Sequence, residues 1–464
     1  MNPLVIRDVE VDGRTGIDVL IGAGAIVAIG RGLAPPGDSE VLDGRGGALI
    51  PGLHDHHLHL YALAAQKLSV QCGPPRVRSR SDLANALTAA PGDGWIRGVG
   101  YIESVAGLLD SAALDRIHAA RPVRIQHRSG AMWVLNTVAA TLVRLDDADH
   151  PGVERDDRGH PTGRVWRADD WLRGRLPTTD PPALDAVGAD LTRVGITGVT
   201  DATPDLPASS LEALVDAHAR GLVPQRIHLL GVPLGYEFSM PASTVTSGPY
   251  KIVLADSGLP DLDDLVGTIR RAHTSGRAIA AHCVTREALL ILLVALDEAG
   301  TVPGDRIEHG ALIPDETIPQ LRRLNLTVVT QPGFLAHRGD DYLRDVDPRD
   351  LPDLYRCRSL LGGHVPLALS SDAPYGPLDP WAVMAAAIDR RCPNSEIVGP
   401  AERIDPNEAL DRYLAPLDDP GGPARTVRVG TAADLVLLDR PLREVLASPH
   451  AERVRATIIR GTVR

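Results

Sequence analysis

Histidine and aspartate side chains stand at the ends of several short apolar runs in this sequence. One run ends in His57-Leu58-His59, and later runs end at His282, His309 and Asp372. In an extended strand a spacing of two places side chains on one face, so His57 and His59 can reach the same point. Nitrogen and oxygen ligands of this kind suit zinc or a similar divalent ion. We therefore predict that these five residues bind metal.

Lys251 is the second informative residue, because the chain almost never uses lysine. Only Lys67 and Lys251 are lysines among the 48 Lys and Arg residues, and Lys251 lies inside the apolar run GPYKIVLAD (248–256). Burial beside cations disfavours the protonated amine. A neutral amine can add carbon dioxide and become a carbamate whose two oxygens bridge two metal ions, whereas a guanidinium stays protonated. We therefore expect N6-carboxylysine at Lys251, an ordinary surface role for Lys67, and two divalent ions, zinc first, as cofactors.

A fold that gathers distant strand ends is needed to bring these residues together. Eight strand-like runs alternate with helical stretches, which is typical of a parallel sheet with crossover helices. Eight is the number that closes a (β/α)₈ barrel, whose reactive residues lie at the carboxyl ends of the strands. The runs are ALIPGLHDHHLHL (48–60), GITGVTDA (195–202), PQRIHLLGV (224–232), YKIVLAD (250–256), RAIAAHC (277–283), DRIEHG (305–310), LTVVTQP (326–332) and VPLALSSD (365–372).

Both ends of the chain and one internal segment fall outside this alternation. Residues 1–48 and 425–464 are short β-like runs broken by Gly and Asp, which predicts one small sheet domain built from both termini. Residues 49–424 would then form the barrel. Within them, residues 70–170 exceed the eight-fold count and are predicted to be an insertion that contributes to a cap over the active site. Its tryptophans, Trp133, Trp166 and Trp171, are expected in the insertion core or, alternatively, in the wall of an apolar pocket.

Composition excludes several classes of protein. The formal net charge of −12 argues against a nucleic-acid partner. No basic head precedes an apolar stretch, and no run of 18 or more apolar residues occurs, so neither a secretory signal nor a membrane span is expected. The four cysteines form no CxxC pair and are predicted to be free thiols in a reducing compartment. We expect a cytoplasmic protein that acts on a small molecule.

Taken in order, these segments resemble the amidohydrolase superfamily of metal-dependent hydrolases. The similarity is to its YtcJ-like branch (amidohydrolase family 3), which includes N-substituted formamide deformylases. The resemblance implies a (β/α)₈ barrel with a β-sandwich from both termini, and a possible homodimer. It also implies one ion at His57, His59 and Asp372, a second at His282 and His309, and carboxylated Lys251 between them. The matching segments are IPGLHDHHLHL, GPYKIVLAD, AAHCV, RIEHG, TQPGFL, SSDAPYGPLDPW and VGTAADLVLLD.

One segment departs from the family pattern. After Lys251, the stretch LADSGLPDLDD passes almost directly into a helix, where YtcJ-like proteins usually have a longer loop that shapes the substrate pocket. The substrates known for the family are therefore not transferred to this chain.

The predicted reaction is hydrolysis of an amide-type C–N bond in a small organic molecule. Two cations lower the pKa of a shared water towards neutrality, so that hydroxide becomes available, and Asp372 accepts its proton and returns it to the departing amine. A lactonase or a phosphotriesterase-like esterase on the same binuclear site is the alternative, and a one-metal deaminase is disfavoured by the bridging lysine. A non-catalytic small-molecule-binding barrel is the other class, and the complete ligand set argues against it.

Other polar residues near these motifs receive weaker predictions. Strict alternation would turn His54 and His56 away from the metal, towards packing or hydrogen bonds with ligands. Asp55 would orient a ligand. Substrate contacts are predicted for His127, Arg128, Arg338 and Tyr375, with a structural role equally open for His127 and Arg128 and a solvent-facing role favoured for Arg338 and Tyr342.

Overall fold

A computed structural model describes the chain at residues 2–34, 36–177, 181–236, 244–254 and 258–464. The chain divides into two compact units. The first comprises Met1–Leu60 with Leu184–Arg464, and the second comprises Tyr61–Ala183. The predicted insertion, 70–170, falls within the second unit.

Strands and helices are numbered along the chain. The strands are β1 (Leu4–Val11), β2 (Arg14–Gly22), β3 (Ala25–Gly30), β4 (Glu40–Asp43), β5 (Leu49–Pro51), β6 (Leu53–Leu58), β7 (Val70–Gln71), β8 (Ile96–Tyr101), β9 (Val123–His127), β10 (Met132–Leu135), β11 (Val153–Arg155), β12 (Pro161–Trp166), β13 (Ile196–Asp201), β14 (Arg226–Leu229), β15 (Val245–Ser247), β16 (Tyr250–Val253), β17 (Ile279–Cys283), β18 (Arg306–His309), β19 (Thr327–Thr330), β20 (Leu367–Leu369), β21 (Leu435–Leu438), β22 (Val454–Ile459) and β23 (Thr462–Val463). The helices are α1 (Leu60–Lys67), α2 (Arg80–Thr88), α3 (Glu103–Ala106), α4 (Ser111–Asp115), α5 (Thr137–Leu142), α6 (Asp169–Arg173), α7 (Asp185–Arg193), α8 (Ala208–Ala219), α9 (Leu262–Thr274), α10 (Arg286–Ala299), α11 (Ile318–Arg323), α12 (Gly333–Asp345), α13 (Arg358–Gly362), α14 (Pro380–Asp389), α15 (Pro406–Leu414) and α16 (Leu442–Ala447).

Two parallel sheets in the first unit position the predicted ligands. One has the order β15-β14-β13-β6 and the other the order β16-β17-β18-β19-β20. Helices lie between most consecutive strands, as parallel pairing requires. Main-chain hydrogen bonds also join the two sheets, from Asp372 N–H to the His57 carbonyl (2.9 Å) and from Lys251 N–H to the Leu230 carbonyl (3.2 Å). The predicted α/β class with parallel strands is confirmed.

Each predicted strand run contains an observed strand, but the first run is wrong as a single strand. Residues 48–60 form β5 and β6, with Gly52 between them. Strand β5 pairs antiparallel with β21, whereas β6 pairs parallel with β13. A Cβ at Gly52 would clash with the Thr197 side chain, so glycine allows the chain to pass between the two sheets.

Two helices that lie between parallel strands have clear end signals. Helix α9 begins after Asp261, whose side chain accepts a hydrogen bond from a main-chain N–H of the first turn. Helix α10 begins after Thr285, which caps it in the same way, and ends at Gly300 with φ of 82°. Part of the short connection predicted after Lys251, residues 255–257, lies outside the described residues.

Strands from both termini share one hydrophobic core. One sheet has the order β3-β2-β1-β4, and the other has the order β23-β22-β21-β5. Their apolar side chains form a single buried cluster whose members include Leu4, Ile6, Val19, Leu435, Leu437 and Ile458.

The second unit is built on one sheet with the order β11-β12-β10-β9-β8-β7. Trp133 is buried in one of its hydrophobic clusters, and Trp171 packs against the same cluster. Trp166 is 39% exposed, so the prediction that it is a core residue is wrong for this tryptophan. Its ring nitrogen donates to the Glu154 carboxylate instead.

The described residues bear on two further predictions. All four cysteines are buried and free. Over the same part of the chain, no helix combines the length and apolar character needed to cross a bilayer.

Candidate metal centre

The end of β6 brings two imidazoles to one carboxylate. His57 is fully buried, and its ring centre lies 5.4 Å from that of His59. The Nε2 atoms of His57 and His59 lie 3.5 Å and 3.3 Å from Oδ1 of Asp372. Ligand atoms of these three residues all lie within 4.8 Å of one another. One cation could therefore contact all three.

Unsatisfied polar atoms at this point fit a metal ion. Nε2 of His57 and Oδ1 of Asp372 are buried without a hydrogen-bond partner among the described residues. Leaving such atoms unpaired away from water costs free energy, so native structures nearly always pair them. Their chemistry, an imidazole lone pair and a carboxylate oxygen, is that of divalent-metal ligands.

His282 and His309 extend the group along adjacent strands. Their ring centres lie 4.4 Å apart, and the His309 ring lies 4.6 Å from that of His57. Two ligand positions have left-handed backbones, His309 with φ of 73° and Asp372 with φ of 52°. A non-glycine residue in this region costs about 1–3 kcal/mol, and such strain is concentrated at functional sites.

Lys251 lies within the electrostatic reach of these ligands. The residue is 4% exposed, and its buried amine has no hydrogen-bond partner among the described residues. Burial lowers the pKa of Lys251 to about 8. Burial also holds the pKa of His57 and of His309 well below the usual range, and the charge on Lys251 lowers both further. The structure thus brings together the six residues predicted as ligands. Five of them lie in the last two positions of a strand or after it, whereas Lys251 is the second residue of β16.

Two residues that orient the histidines, Glu308 and Gln331, were not identified from the sequence. Nδ1 of His57 contacts the Glu308 carboxylate, which also accepts a hydrogen bond from Arg306 (2.5 Å). Nδ1 of His309 lies 2.9 Å from the side-chain oxygen of Gln331. Such partners fix the tautomer, so that Nε2 of His57 faces Asp372 as an acceptor. The spacing of two in Arg306-Ile307-Glu308 was the available signal, because it places a buried ion pair on one face of β18.

Asp55 ties together the two segments that hold His57 and Asp372. Its Oδ1 accepts hydrogen bonds from the main-chain N–H groups of His57 (3.1 Å) and Ser371 (3.2 Å). Burial raises the pKa of Asp55 to about 6. Its contacts are therefore those of a positioning residue.

His54 and His56 lie nearer the start of β6 than His57. The strict alternation of side chains between the two faces of the strand, from which their direction was predicted, is interrupted in β6. Between Asp55 and Leu58, β6 advances three residues while β13 advances two, which is the register of a bulge. Nδ1 of His54 lies 2.9 Å from the Ala415 carbonyl. Neither ring nitrogen of His56 has a partner among the described residues, and burial, then Arg306, lowers the pKa of His56 to about 3.

Comparison with known proteins agrees with this geometry. A model of the amidohydrolase family matches residues 40–464. The chain belongs to the amidohydrolase family. This amidohydrolase is 25% identical to the N-substituted formamide deformylase of Arthrobacter pascens, over 99% of this chain and 96% of the relative. It is 23% identical to YtcJ of Bacillus subtilis (strain 168), over 82% and 79% of the two chains. The resemblance drawn from the sequence motifs is confirmed.

A solved structure shows the same fold. The crystal structure of an uncharacterized metal-dependent hydrolase from Pyrococcus horikoshii OT3 matches this amidohydrolase with a TM-score of 0.74. The match covers 95% of this chain and 98% of the other at 19% identity. Family membership makes the protein an enzyme that hydrolyses C–N bonds other than peptide bonds and that binds divalent metal. The residues described above fit that metal.

The four predicted substrate residues are divided between the two units. His127 and Arg128 lie in the second unit, where His127 contacts Ser129 and Glu103. In the first unit, the Tyr375 ring lies 5.6 Å from that of His59. Arg338 and its neighbour Tyr342 are both half-buried, and the choice between a substrate contact and a solvent-facing role stays a prediction for each.

Proposed function

We propose that this amidohydrolase cleaves an amide-type C–N bond of a small organic molecule with two zinc ions. The approach of the His57 and His59 Nε2 atoms to an unpartnered, buried Asp372 oxygen is the observation that supports it most directly. In this proposal His57, His59 and Asp372 would hold one ion, His282 and His309 would hold the other, and carboxylated Lys251 would be a ligand of both.

The ions supply Lewis acidity, which polarises the substrate carbonyl and makes water more acidic. Asp372 also performs the proton transfers in our proposal, because it is the carboxylate that lies beside the ligand nitrogens of His57 and His59. It accepts a proton from the attacking water and returns that proton to the leaving amine. Glu308 and Gln331 keep the imidazoles of His57 and His309 in fixed orientations during these steps.

We also propose that the two parallel sheets close into one (β/α)₈ barrel. The main-chain bonds between β6 and the segment after β20, and between the residue after β14 and β16, support closure at both sides. The shared core of the two terminal sheets supports a β-sandwich in the same way.

A cytoplasmic location is proposed as well. The four buried thiols support it, because a reducing compartment keeps cysteines unpaired.

A substrate panel tests the reaction. Metal-reconstituted protein is assayed with N-formyl amides, N-acyl amides, lactones and phosphotriesters, and N-formyl amides come first because the Arthrobacter relative is named for them. We expect amide hydrolysis that falls about 10²- to 10⁴-fold in Asp372→Asn. The exposed Asp347→Asn is the matched control and should keep full activity. Turnover of lactones or phosphotriesters alone would replace amide hydrolysis with the esterase alternative, and turnover of none would contradict the proposal.

A further inference from the structure

Arg338 is a half-buried cation that no described carboxylate neutralises. It lies inside α12, where its backbone leaves the helical conformation (φ −147°, ψ 25°). Arg344 on the same helix pairs with Asp341 and Asp345, whereas Arg338 forms no ion pair within the described residues. A cation withdrawn from water without a counter-ion is costly, which makes its position informative.

Aromatic side chains fix the orientation of this guanidinium. Its central carbon lies 4.0 Å from the centre of the Phe334 ring, a cation–π contact. Its Nε donates to the Tyr342 hydroxyl (3.0 Å), which in turn lies 2.8 Å from the buried Tyr355 hydroxyl. Its two Nη groups form no hydrogen bond with the described residues. Four N–H donors are thereby left for another partner.

The aromatic wall that holds Arg338 adjoins the metal centre. Phe334 and Tyr355 belong to one hydrophobic cluster, against which Val284 and Tyr375 also pack. Val284 follows His282 by two residues, and Tyr375 follows Asp372 by three.

Electrostatics show the same proximity. Burial alone would lower the pKa of Arg338, but its contacts with the Tyr342 and Tyr355 hydroxyls and the Asp372 charge outweigh burial and raise it. The charge of the proposed catalytic aspartate is therefore felt at the guanidinium.

We propose that Arg338 binds a carboxylate of the substrate, so that the preferred substrates are amides carrying a carboxylate group. This inference rests on the proposed function, since it names the substrate class of the same site. A planar guanidinium with two free Nη groups matches a carboxylate through two parallel hydrogen bonds. Phe334 and Tyr342 restrict its rotation, so little conformational freedom is lost when the anion binds.

Paired substrates test the inference. Metal-loaded wild type, Arg338→Gln and Arg344→Gln are assayed with an N-acyl amino acid and with its primary carboxamide, which lacks the negative charge. We expect the wild type to prefer the N-acyl amino acid. Arg338→Gln should raise the KM for this substrate about 10- to 100-fold. The kcat/KM of Arg338→Gln for the carboxamide should stay within about twofold of the wild-type value. Arg344→Gln, which removes an exposed guanidinium from the same helix, should change neither value.

A binding measurement separates this inference from the proposed reaction. Calorimetry with benzoate and with benzamide on the metal-loaded proteins needs no turnover. Benzoate binding that is weakened about 10-fold or more in Arg338→Gln, with benzamide unchanged, supports the anion site even if no amide is hydrolysed. Equal benzoate affinity in wild type and Arg338→Gln overturns it, even if amides are hydrolysed. If Arg338→Gln fails to fold, Arg338→Lys, which retains charge but not the planar fork, should show an intermediate loss of benzoate affinity.

Discussion

Two groups of buried polar atoms without partners lie beside β6. One is at the carboxyl end of the strand (the upper level) and the other is nearer its start (the lower level), and only the upper group suits a cation. The upper group contains Nε2 of His57, Oδ1 of Asp372 and the amine of Lys251. The lower group contains ring nitrogens of His54 and His56 and one Nη atom of Arg306. Partner atoms are missing from both groups as far as the structure describes the chain. Unsatisfied polar atoms alone therefore do not identify a metal site.

The charges around each level account for the difference. The upper level faces the carboxylates of Glu308 and Asp372, which favour a bound cation. At the lower level the charged groups that act most strongly on His56 are the cations Arg306 and Arg425. A cavity of about 670 Å³ below it is lined by His54, Arg226 and Arg425 among others. Imidazoles on the same strand thus differ in function, because carboxylates surround the upper ones and arginines surround the lower ones.

Exchanging one histidine at each level gives the largest expected contrast. His57→Asn should lose at least one metal ion and about 1,000-fold in activity, because it removes a ligand and the contact to Glu308. His54→Asn should keep both ions, since the one hydrogen bond of the His54 side chain to the described residues is with the Ala415 carbonyl. Metal content per chain, measured by mass spectrometry, and amide turnover check both variants. Equal metal loss in the two variants would show that the levels are not distinct.

Lysine chemistry offers a smaller contrast within the upper level. With ¹³C-labelled bicarbonate, wild type should show a carbamate carbon by NMR that disappears in Lys251→Arg together with about one metal ion per chain. Lys67→Arg removes the chain's other lysine, which is exposed, and should keep both the signal and the metal. A signal that persists in Lys251→Arg would mean that another amine carries the carbamate.

Residue type and spacing identify the candidate ligands, because strand ends are determined locally. His57 and His59 stand two apart, and each later ligand follows its own apolar run, so the parallel fold alone brings them together. The rarity of lysine makes Lys251 visible without any structure.

Features that depend on contacts between distant segments could not be predicted. Glu308 orients His57 across 251 residues of sequence, and Gln331 reaches His309 from the next strand. The bulge in β6 depends on its pairing with β13, and the burial of Arg338 depends on the aromatic residues that surround it. Apart from the spacing of two between Arg306 and Glu308, these contacts leave no periodic signal in the chain.

Acid sensitivity of the lower level gives the smallest expected effect. Burial holds the pKa of His56 at about 3, below the ordinary value of about 6.5, so the folded chain keeps this ring neutral while the unfolded chain protonates it. The stability it contributes is thus fully present above pH 6.5 and is lost as the pH falls from there towards 3. At pH 5 this loss amounts to about 2 kcal/mol. Between pH 7 and pH 5, the Tm of metal-free His56→Leu should therefore fall by about 1–3 °C less than the Tm of metal-free wild type. The exposed His160→Leu should behave as wild type, and an identical drop in all three proteins would place the acid-sensitive groups elsewhere.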